Sequence, residues 1–343
     1  MTSSFQPLQA KKAEVRFRQK IAQQHIHDTV LIPQEYNKKE MDTILQEKTQ
    51  RTIKDFRNLK NKHIPMSPFL EIGTGYGQAS LVLRNIFHCN GYAGDIAIDP
   101  LTCMPTVAKD MKFQHMPRRI ICDAEHLPFL DNSVPFIFCY QTLHHFPNPS
   151  QVMKEAERVL APGGVFFFSE EPVAQKLNFS LWRRPTKLRA WEKVLKTFLV
   201  LHFISRIGKS ETDEGILEET FSLQTWKEAL DIFEEVTASI DPFPIGIQGN
   251  MIKRKGTWKK RTFKDVMNRY MIYVLGGGIR GICVKKGTYH TLKSPALACP
   301  DCVVALHKAR NMLHCPSCKQ TYVKNNHIWM LLPQEIKSKL YPI

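Results

Sequence analysis

The sequence has no run of about 18 or more uncharged apolar residues, so no membrane-spanning helix is expected. Its first residues, Met1-Thr-Ser-Ser-Phe-Gln, lack a basic stretch followed by an apolar core, so no secretory signal is predicted. Internal repeats and low-complexity segments are also missing. The 9 cysteines, without a secretory signal, therefore predict reduced thiols and a cytoplasmic location.

Acidic side chains are scarce towards the C-terminus. Residues 251–343 hold 18 basic and 3 acidic side chains, against 7 and 11 in residues 66–172. Such a basic region indicates an anionic partner, which would be RNA, a phospholipid surface or a phosphorylated substrate. The alternative is a solvated surface that only keeps the protein in solution.

The segment Glu71-Ile-Gly-Thr-Gly-Tyr-Gly-Gln78 is a glycine-rich turn after a short apolar strand. Ile98-Asp99 is interpreted as the end of a second apolar strand, with Asp99 22 residues after Gly77. Glycines let the backbone approach a ligand closely, and a carboxylate further on accepts hydrogen bonds from ribose hydroxyls. Together they predict a nucleoside-binding site, although this glycine spacing alone also occurs in tight turns without a ligand.

Three further segments, 120–125, 136–146 and 159–170, each contain a predicted strand that ends in a turn or loop. In order and spacing, the five segments resemble those of the class I S-adenosylmethionine (SAM)-dependent methyltransferases, in the type 11-like branch, over residues 66–172. The resemblance implies an α/β, Rossmann-like fold with a seven-stranded sheet and SAM as the cofactor. The last two strands of that sheet are expected at 233–240 and 281–286.

The resemblance also assigns cofactor contacts around the glycine turn. Gly73, Gly75 and Gly77 would form the turn beneath the methionine part of SAM, and Glu71 would meet its ammonium group. Gln141, after the fourth strand, would lie where the methyl donor and the acceptor meet.

Three residues are assigned in the same way to the adenosine part of SAM. Asp99 would bind the ribose hydroxyls, and Asp123 with Ala124 would meet the adenine. Each acid has an alternative role as a helix cap or turn residue.

His144 and His145 follow the fourth strand, where the resemblance places the acceptor. An imidazole near neutral pKa suits deprotonation of a hydroxyl, so both are candidate catalytic bases. The alternative is that they only shape the cofactor pocket. Glu170 and Glu171, after the fifth strand, are the second choice for a base or an acceptor-binding group.

The acceptor class follows from two short patterns. The chain lacks the Asn-Pro-Pro-Tyr or Asp-Pro-Pro-Tyr motif of many enzymes that methylate exocyclic base nitrogens. Its Leu-His-His pattern at 143–145 and its Asp-Ala-Glu-x-Leu-Pro-Phe pattern at 123–129 resemble enzymes that modify quinones, sterols and lipids. The leading hypothesis is methyl transfer to oxygen or carbon of a small or lipid-linked metabolite. The alternatives are an RNA methyltransferase and a non-catalytic module with a methyltransferase fold.

Two Cys-x-x-Cys pairs, Cys299 with Cys302 and Cys315 with Cys318, are separated by twelve residues. This spacing predicts a closed tetrahedral site for a structural zinc ion, against the alternative of disulfides or unliganded thiols. Residues 295–335 resemble the small zinc-ribbon proteins that bind and activate methyltransferases. The chain departs from that family at 325–327, where Asn-Asn-His stands before the last apolar strand in place of a segment with glycine.

The expected organisation therefore has three parts. Residues 1–65 form a helical extension that packs over the cofactor cleft, as the resemblance implies. Residues 66–288 form the methyltransferase domain, with an insert at about 173–220. The apolar segment 191–207 of this insert is expected to be a substrate lid, with a membrane-surface helix as the alternative. Residues 295–335 form the zinc ribbon.

Overall fold

The computed structural model describes residues 5–24, 38–174, 181–183, 189–197, 205–207, 212–242, 248–290 and 295–342. Its helices are α1 (Phe5–Gln24), α2 (Lys38–Asn61), α3 (Gln78–Asn85), α4 (Ile98–Asp110), α5 (Pro149–Val159), α6 (Ala190–Thr197), α7 (Leu223–Leu230), α8 (Phe263–Leu275) and α9 (Gln334–Leu340), with a short 3-10 helix at Leu143–His145. Its strands are β1 (Phe69–Ile72), β2 (Gly91–Asp95), β3 (Arg118–Ile121), β4 (Val134–Tyr140), β5 (Leu160–Val173), β6 (Leu181–Arg183), β7 (Ser205–Ile207), β8 (Glu235–Pro242), β9 (Gly249–Arg254), β10 (Thr257–Trp258), β11 (Gly277–Val284), β12 (His307–Ala309), β13 (Met312–His314), β14 (Thr321–Asn325) and β15 (Ile328–Met330). None of the helices in these ranges is long and apolar enough to cross a membrane.

The main sheet has 13 strands in the order β10-β9-β8-β11-β5-β4-β1-β2-β3-β15-β14-β13-β12. Its centre is a parallel set, β5-β4-β1-β2-β3. β11 pairs with β5 in antiparallel orientation, and β8 pairs antiparallel with β11, so that β8 runs in the same direction as the central set. These are the seven strands that the resemblance implies, with β8 and β11 within a few residues of the expected positions. The expected total of seven is nevertheless wrong, because the sheet continues beyond both edges of this central set.

The two extensions cover strands that would otherwise be sheet edges, with unpaired backbone groups. β9 and β10 extend the sheet next to β8. At the other edge β15 pairs in parallel with β3, so that Trp329 lies opposite Ile120 and Met330 opposite Ile121. The segment with the four cysteines is therefore continuous with the central sheet.

The sequence accounts for the buried centre of this sheet. Parallel strands are covered by helices on both faces, and their side chains are apolar in both directions. In β4, Phe136 and Phe138 contact one helical layer through Phe56 of α2, whereas Ile137 and Cys139 belong to the core cluster on the opposite face. The carboxyl ends of all five parallel strands meet at one edge, which is where doubly wound sheets bind ligands.

Candidate functional site

The glycine turn joins β1 to α3 at the carboxyl edge of the sheet. Gly73, Gly75 and Gly77 all have positive φ, which only glycine adopts without strain. A Cβ atom at Gly73 would overlap the Thr142 side chain, whereas a Cβ at Gly75 would have no neighbour within 4 Å. The missing side chain at Gly75 therefore leaves space in a cleft that this residue lines.

Glu71 lies beneath this turn and is buried. One oxygen of its carboxyl group, Oε2, accepts hydrogen bonds from Thr74 Oγ1 at 2.6 Å and from the Ser80 backbone N–H at 3.0 Å. Burial raises the pKa of Glu71 to about 7, against the opposing effect of the bonds from Ser80 and Thr74. Both partners belong to the turn and to α3, so Glu71 holds the glycine turn against the helix.

Asp95, and not Asp99, is the acid at the end of β2. The expectation that Ile98-Asp99 ends a strand is wrong, because these residues form the first turn of α4. Pro100 fits this turn, since a backbone N–H at this position would have no partner within the helix. Asp95 Oδ2 accepts from the Gly75 N–H at 2.8 Å, and Oδ1 accepts from the Ala97 N–H at 2.9 Å. Asp95 lines the cleft, and Asp99 is not among the residues that do so.

Asp123 and Ala124 follow β3 and line the same cleft. The Asp123 carboxylate accepts from Lys11 Nζ at 2.6 Å, from the Glu125 N–H at 3.1 Å and contacts His126 Nδ1 at 3.1 Å. Burial by itself would raise the pKa of Asp123, but the bonds from His126 and Lys11 outweigh it and lower that pKa. The acid is therefore an ionised acceptor that is partly occupied by groups of the chain.

Gln141 follows β4 and lines the cleft, as its predicted position requires. Its φ of 50° lies in the left-handed region, and Glu170 in β5 has a φ of 62°. Residues other than glycine rarely adopt this backbone conformation, and those that do cluster at functional sites. Both residues also line a second cleft, which shares Gly73 and Gly75 with the first.

His144 is held by Glu171, which lies in β5, the strand next to β4. His144 Nδ1 lies 2.8 Å from Glu171 Oε2, and the Glu171 carboxylate also accepts from the backbone N–H groups of Thr142, Leu143 and His144. Burial would lower the pKa of His144, but the hydrogen bond and the charge of Glu171 raise it. His144 is therefore a buried group, protonated more readily than a free imidazole, and it fixes the loop after β4.

His145 has the opposite character. Burial and the adjacent charge of His144 lower the pKa of His145 to about 4, so its imidazole is neutral at neutral pH. Its Nδ1 lies 3.0 Å from the Leu217 carbonyl oxygen, which a protonated Nδ1 can donate to, and this leaves Nε2 as an acceptor. His145 lines the cleft, whereas His144 does not.

Helix α1, within the expected helical extension at 1–65, forms one wall of the cleft, but the sequence analysis singled out none of the residues that line it. Lys11, Glu14 and Arg18 of α1 line it, and their spacing of three, four and seven residues places them on one face of the helix. Arg18 Nε donates to Glu14 Oε1 at 2.7 Å, and Glu14 Oε2 is buried without a hydrogen-bond partner among the described residues. Ile216 and Leu217, from the end of the predicted insert, complete the apolar part of the lining.

The four cysteines come together as their spacing predicts. The Sγ atoms of Cys299, Cys302, Cys315 and Cys318 all lie within 4.8 Å of one another, and Cys299 Sγ is 3.7 Å from Cys318 Sγ. Sulfur atoms at the corners of a tetrahedral zinc site are about 3.8 Å apart, since each Zn–S bond is about 2.3 Å. The arrangement could therefore hold zinc with little movement.

The turn before β15 explains the departure from the zinc-ribbon pattern. Asn326 and His327 have φ values of 48° and 65°, in the region that favours glycine. Asparagine tolerates this conformation better than most residues, so the two-residue turn forms without glycine. β14 and β15 therefore pair as an antiparallel hairpin across a turn that contains no glycine.

Comparison with known proteins agrees with this geometry. The family model described as "Methyltransferase domain" matches residues 70–168. The sarcosine/dimethylglycine N-methyltransferase of Halorhodospira halochloris is 25% identical over 36% of this chain and 44% of its own length. The malonyl-[acyl-carrier protein] O-methyltransferase of a Marinomonas species is 34% identical over 29% of this chain and 36% of its own.

A solved SAM-dependent methyltransferase of Methanosarcina mazei aligns with 66% of this chain and 97% of its own, at 18% identity and a TM-score of 0.40. The chain spans less than half the length of the two curated relatives named above. Their acceptors differ from one another, so the acceptor of this chain is not assigned by similarity. Residues 70–168 therefore match the methyltransferase domain model, and in the structure they carry the strands at the centre of a Rossmann-like α/β sheet.

Proposed function

We propose that this protein is a SAM-dependent methyltransferase whose acceptor is a small or lipid-linked metabolite, methylated at oxygen or carbon. The observation that supports it most is one cleft at the carboxyl edge of the sheet. Gly73, Gly75, Asp95, Asp123 and Gln141 all line it, although they come from four different strand ends. A binding site assembled from separate strand ends is the usual ligand site of this architecture.

The residues that line the cleft fit SAM. Gly75 leaves room for a ligand. The buried oxygen Glu14 Oε2 accepts no hydrogen bond among the described residues, and a ribose hydroxyl or an ammonium group of SAM would supply the donor. In the proposal Asp95 takes the ribose role that the sequence had assigned to Asp99, and Asp123 with Ala124 receives the adenine. Gly73, Gly75, Gly77 and Gln141 surround the methionine part, with Glu71 supporting the turn. SAM supplies an activated methyl group on a sulfonium.

The chain's own task is then to align the acceptor and, where it carries a proton, to remove that proton. We assign the base role to His145, because its imidazole is neutral and lines the cleft. His144 and Glu171 position the loop that carries it. The runner-up base, Glu170, lines the second cleft.

The walls near His145 favour a metabolite over RNA. Phe146, Pro147, Ile216 and Leu217 are apolar. The cations that line this cleft are already neutralised, since Lys11 pairs with Asp123 and Glu125, and Arg18 pairs with Glu14. An RNA groove requires cations that are free to meet phosphates. The basic C-terminal quarter keeps RNA as the second candidate, and loss of SAM binding would favour the non-catalytic alternative.

We also propose that Cys299, Cys302, Cys315 and Cys318 hold a structural zinc ion. A closed set of four thiolates has no open position for chemistry, so this zinc would stabilise the ribbon only. The pairing of β15 with β3 would then make the ribbon part of the catalytic sheet. Reduced thiols and such a site fit the expected cytoplasmic location. The domain limits proposed above, 1–65, 66–288 and 295–335, stay as our working division.

The test incubates purified protein with methyl-labelled SAM and separate lipid, small-metabolite and RNA fractions of a cell extract. We expect label to enter the lipid or the small-metabolite fraction. The matched control is His145→Gln, which keeps the volume of the side chain and should bind SAM but transfer far less label. Label that enters only RNA would replace the leading hypothesis by the second candidate, and a calorimetric titration that shows no SAM binding would support the non-catalytic module.

A further inference from the structure

Helix α8 has an apolar face on its outer side. Five of its large side chains are exposed: Phe263 by 81%, Val266 by 53%, Met267 by 41%, Tyr270 by 64% and Tyr273 by 47%. At about 100° per residue they fall within an arc of about 120° along the helix. They therefore form one continuous band, which we call the α8 face.

The α8 face does not belong to the protein core. The opposite side of the helix, with Asn268 and Ile272, is buried where α8 packs against β8 and β9. A surface helix normally carries polar residues on the side away from the core. A continuous apolar band on the exposed side of a helix therefore indicates that a partner covers it.

Cations surround one end of the α8 face. Lys259, Lys260 and Arg261 precede the helix, Lys264 lies in its first turn, and all four are exposed. Within the ranges that the structure describes, none of these four side chains forms an ion pair with a carboxylate. The one acid of the helix, Asp265, accepts from the Thr262 backbone N–H and hydroxyl in a capping box. The partner should therefore offer an apolar interior and a negatively charged surface.

We propose that the α8 face docks on an anionic lipid bilayer, with Phe263 and Tyr270 inserted below the headgroups and the four cations on anionic headgroups. Aromatic and aliphatic residues beside lysine and arginine are the composition of helices that lie in a membrane interface. RNA fits less well, because Val266 and Met267 offer neither a stacking surface nor a hydrogen bond to a base. The proposal concerns binding to a surface only, and it holds whether or not the protein transfers methyl groups.

The position of α8 connects this face to the catalytic edge of the sheet. The helix leads directly into β11, whose first residues, Gly277 and Gly278, pair with Val173 and Pro172. Glu171, the partner of His144, is the next residue of β5. A bilayer on the α8 face would therefore lie close to the strand end that supports the active-site loop.

The experiment is flotation of the full-length protein with phosphatidylcholine vesicles that contain, or lack, phosphatidylserine. We expect binding to the anionic vesicles that weakens as salt is added. F263S/Y270S should reduce this binding at least about tenfold, and K259E/K260E should remove its dependence on phosphatidylserine. M312S/V323S, which changes exposed apolar residues of the ribbon, and K60E/K62E at the end of α2 are the matched controls and should bind as the unchanged protein does.

Circular dichroism and thermal melting check that each variant folds. The proposal is overturned if the unchanged protein does not float with anionic vesicles, or if F263S/Y270S floats as well as M312S/V323S. It is also overturned if these same substitutions abolish binding to RNA or to an acidic protein while vesicle binding is absent.

Discussion

Replacement of Asp95 by asparagine tests the proposed cofactor cleft most sharply, because Asp99 provides a matched control four residues away. Asp95 lines the cleft and accepts from Gly75, whereas Asp99 lies in the first turn of α4. In Asp95→Asn one carboxylate oxygen becomes an NH₂ group, which cannot accept from a ribose hydroxyl or from the Gly75 N–H. The change is nearly isosteric, so it removes charge and acceptors without leaving a cavity.

The expected magnitude follows from the hydrogen bonds. A bond to a charged group contributes about 1.5–3 kcal/mol, so two ribose hydroxyls that lose the carboxylate should cost about 3 kcal/mol. This corresponds to an increase of about 100-fold in the Kd for SAM. Asp99→Asn should change the Kd by less than about threefold, as expected for a surface change away from the ligand.

Isothermal titration with SAM and with S-adenosylhomocysteine measures both variants, and thermal melting confirms that they are folded. The two ligands share the adenosine part, so Asp95→Asn should weaken them equally. The assignment of Asp95 is refuted if Asp99→Asn weakens binding more than Asp95→Asn does. Equal affinities for both variants and the unchanged protein would show that neither acid meets the ribose.

Three further predictions concern the histidines and the cysteines. His145→Gln should lower kcat for a hydroxyl acceptor about 100-fold and leave the Kd for SAM unchanged; an unaltered kcat would exclude a base role. The pKa of His144 is higher in the folded protein than its unfolded value of about 6.5. Its contribution to stability is therefore complete below about pH 6.5 and is lost as the pH rises through the raised pKa of the folded protein. The urea midpoint of the unchanged protein should therefore fall more steeply above about pH 6.5 than that of His144→Gln, and parallel curves would contradict the pairing with Glu171. Cys315→Ser should remove one zinc per chain, as counted by elemental analysis, and lower the Tm; full zinc content in this variant would contradict the four-cysteine site.

The sequence was sufficient for elements whose signals are local. The strands β1, β4 and β5 follow from apolar runs near glycine or proline, and Ser222 caps α7 by accepting from the Thr225 N–H, as serine commonly does before a helix. The cysteine cluster follows from its spacing alone. In each case the neighbouring residues contain the information, so no distant contact was needed.

The prediction of Asp99 as the acid at the end of β2 was wrong for an equally local reason. Ile96, Ile98 and the acids beside them alternate in the way a strand does, so Asp95 and Asp99 are both candidates for its end. The choice is made by Asp95, which accepts from the Ala97 N–H and turns the chain into α4. A pattern of apolar and polar residues contains no signal for such a bond, since it depends on the backbone direction.

Specific contacts between distant segments could also not be predicted from the sequence. The pairing of β15 with β3 joins residues about 200 positions apart, and Lys11 of α1 reaches Asp123 across 112 positions. The first adds strands to the predicted sheet, and the second builds a wall of the cleft. Both depend on how complete elements pack, which no local window contains.

The wall formed by α1 leads to a last prediction. A carboxylate offers about four lone-pair positions, and Asp123 uses three of them for Lys11, His126 and the Glu125 N–H. One position remains, which is what a single adenine amine requires. Lys11 therefore leaves Asp123 able to bind the cofactor while it fastens α1 to the end of β3.

Lys11→Met tests this double role, because methionine keeps much of the apolar stem and removes the charge. Loss of one partner of a buried ion pair costs about 3–5 kcal/mol, so the amides of α1 should exchange with solvent at least about 100-fold faster. Lys20 also belongs to α1, and it forms a more exposed pair with Glu214. Lys20→Met should change exchange little, since such exposed pairs contribute about 0–1 kcal/mol. SAM should slow exchange in α1 of the unchanged protein, because in the proposed site the helix and the cofactor share Asp123. If Lys11→Met and Lys20→Met exchange alike, α1 is held by its apolar contacts, and the ion pair serves only to keep Asp123 ionised.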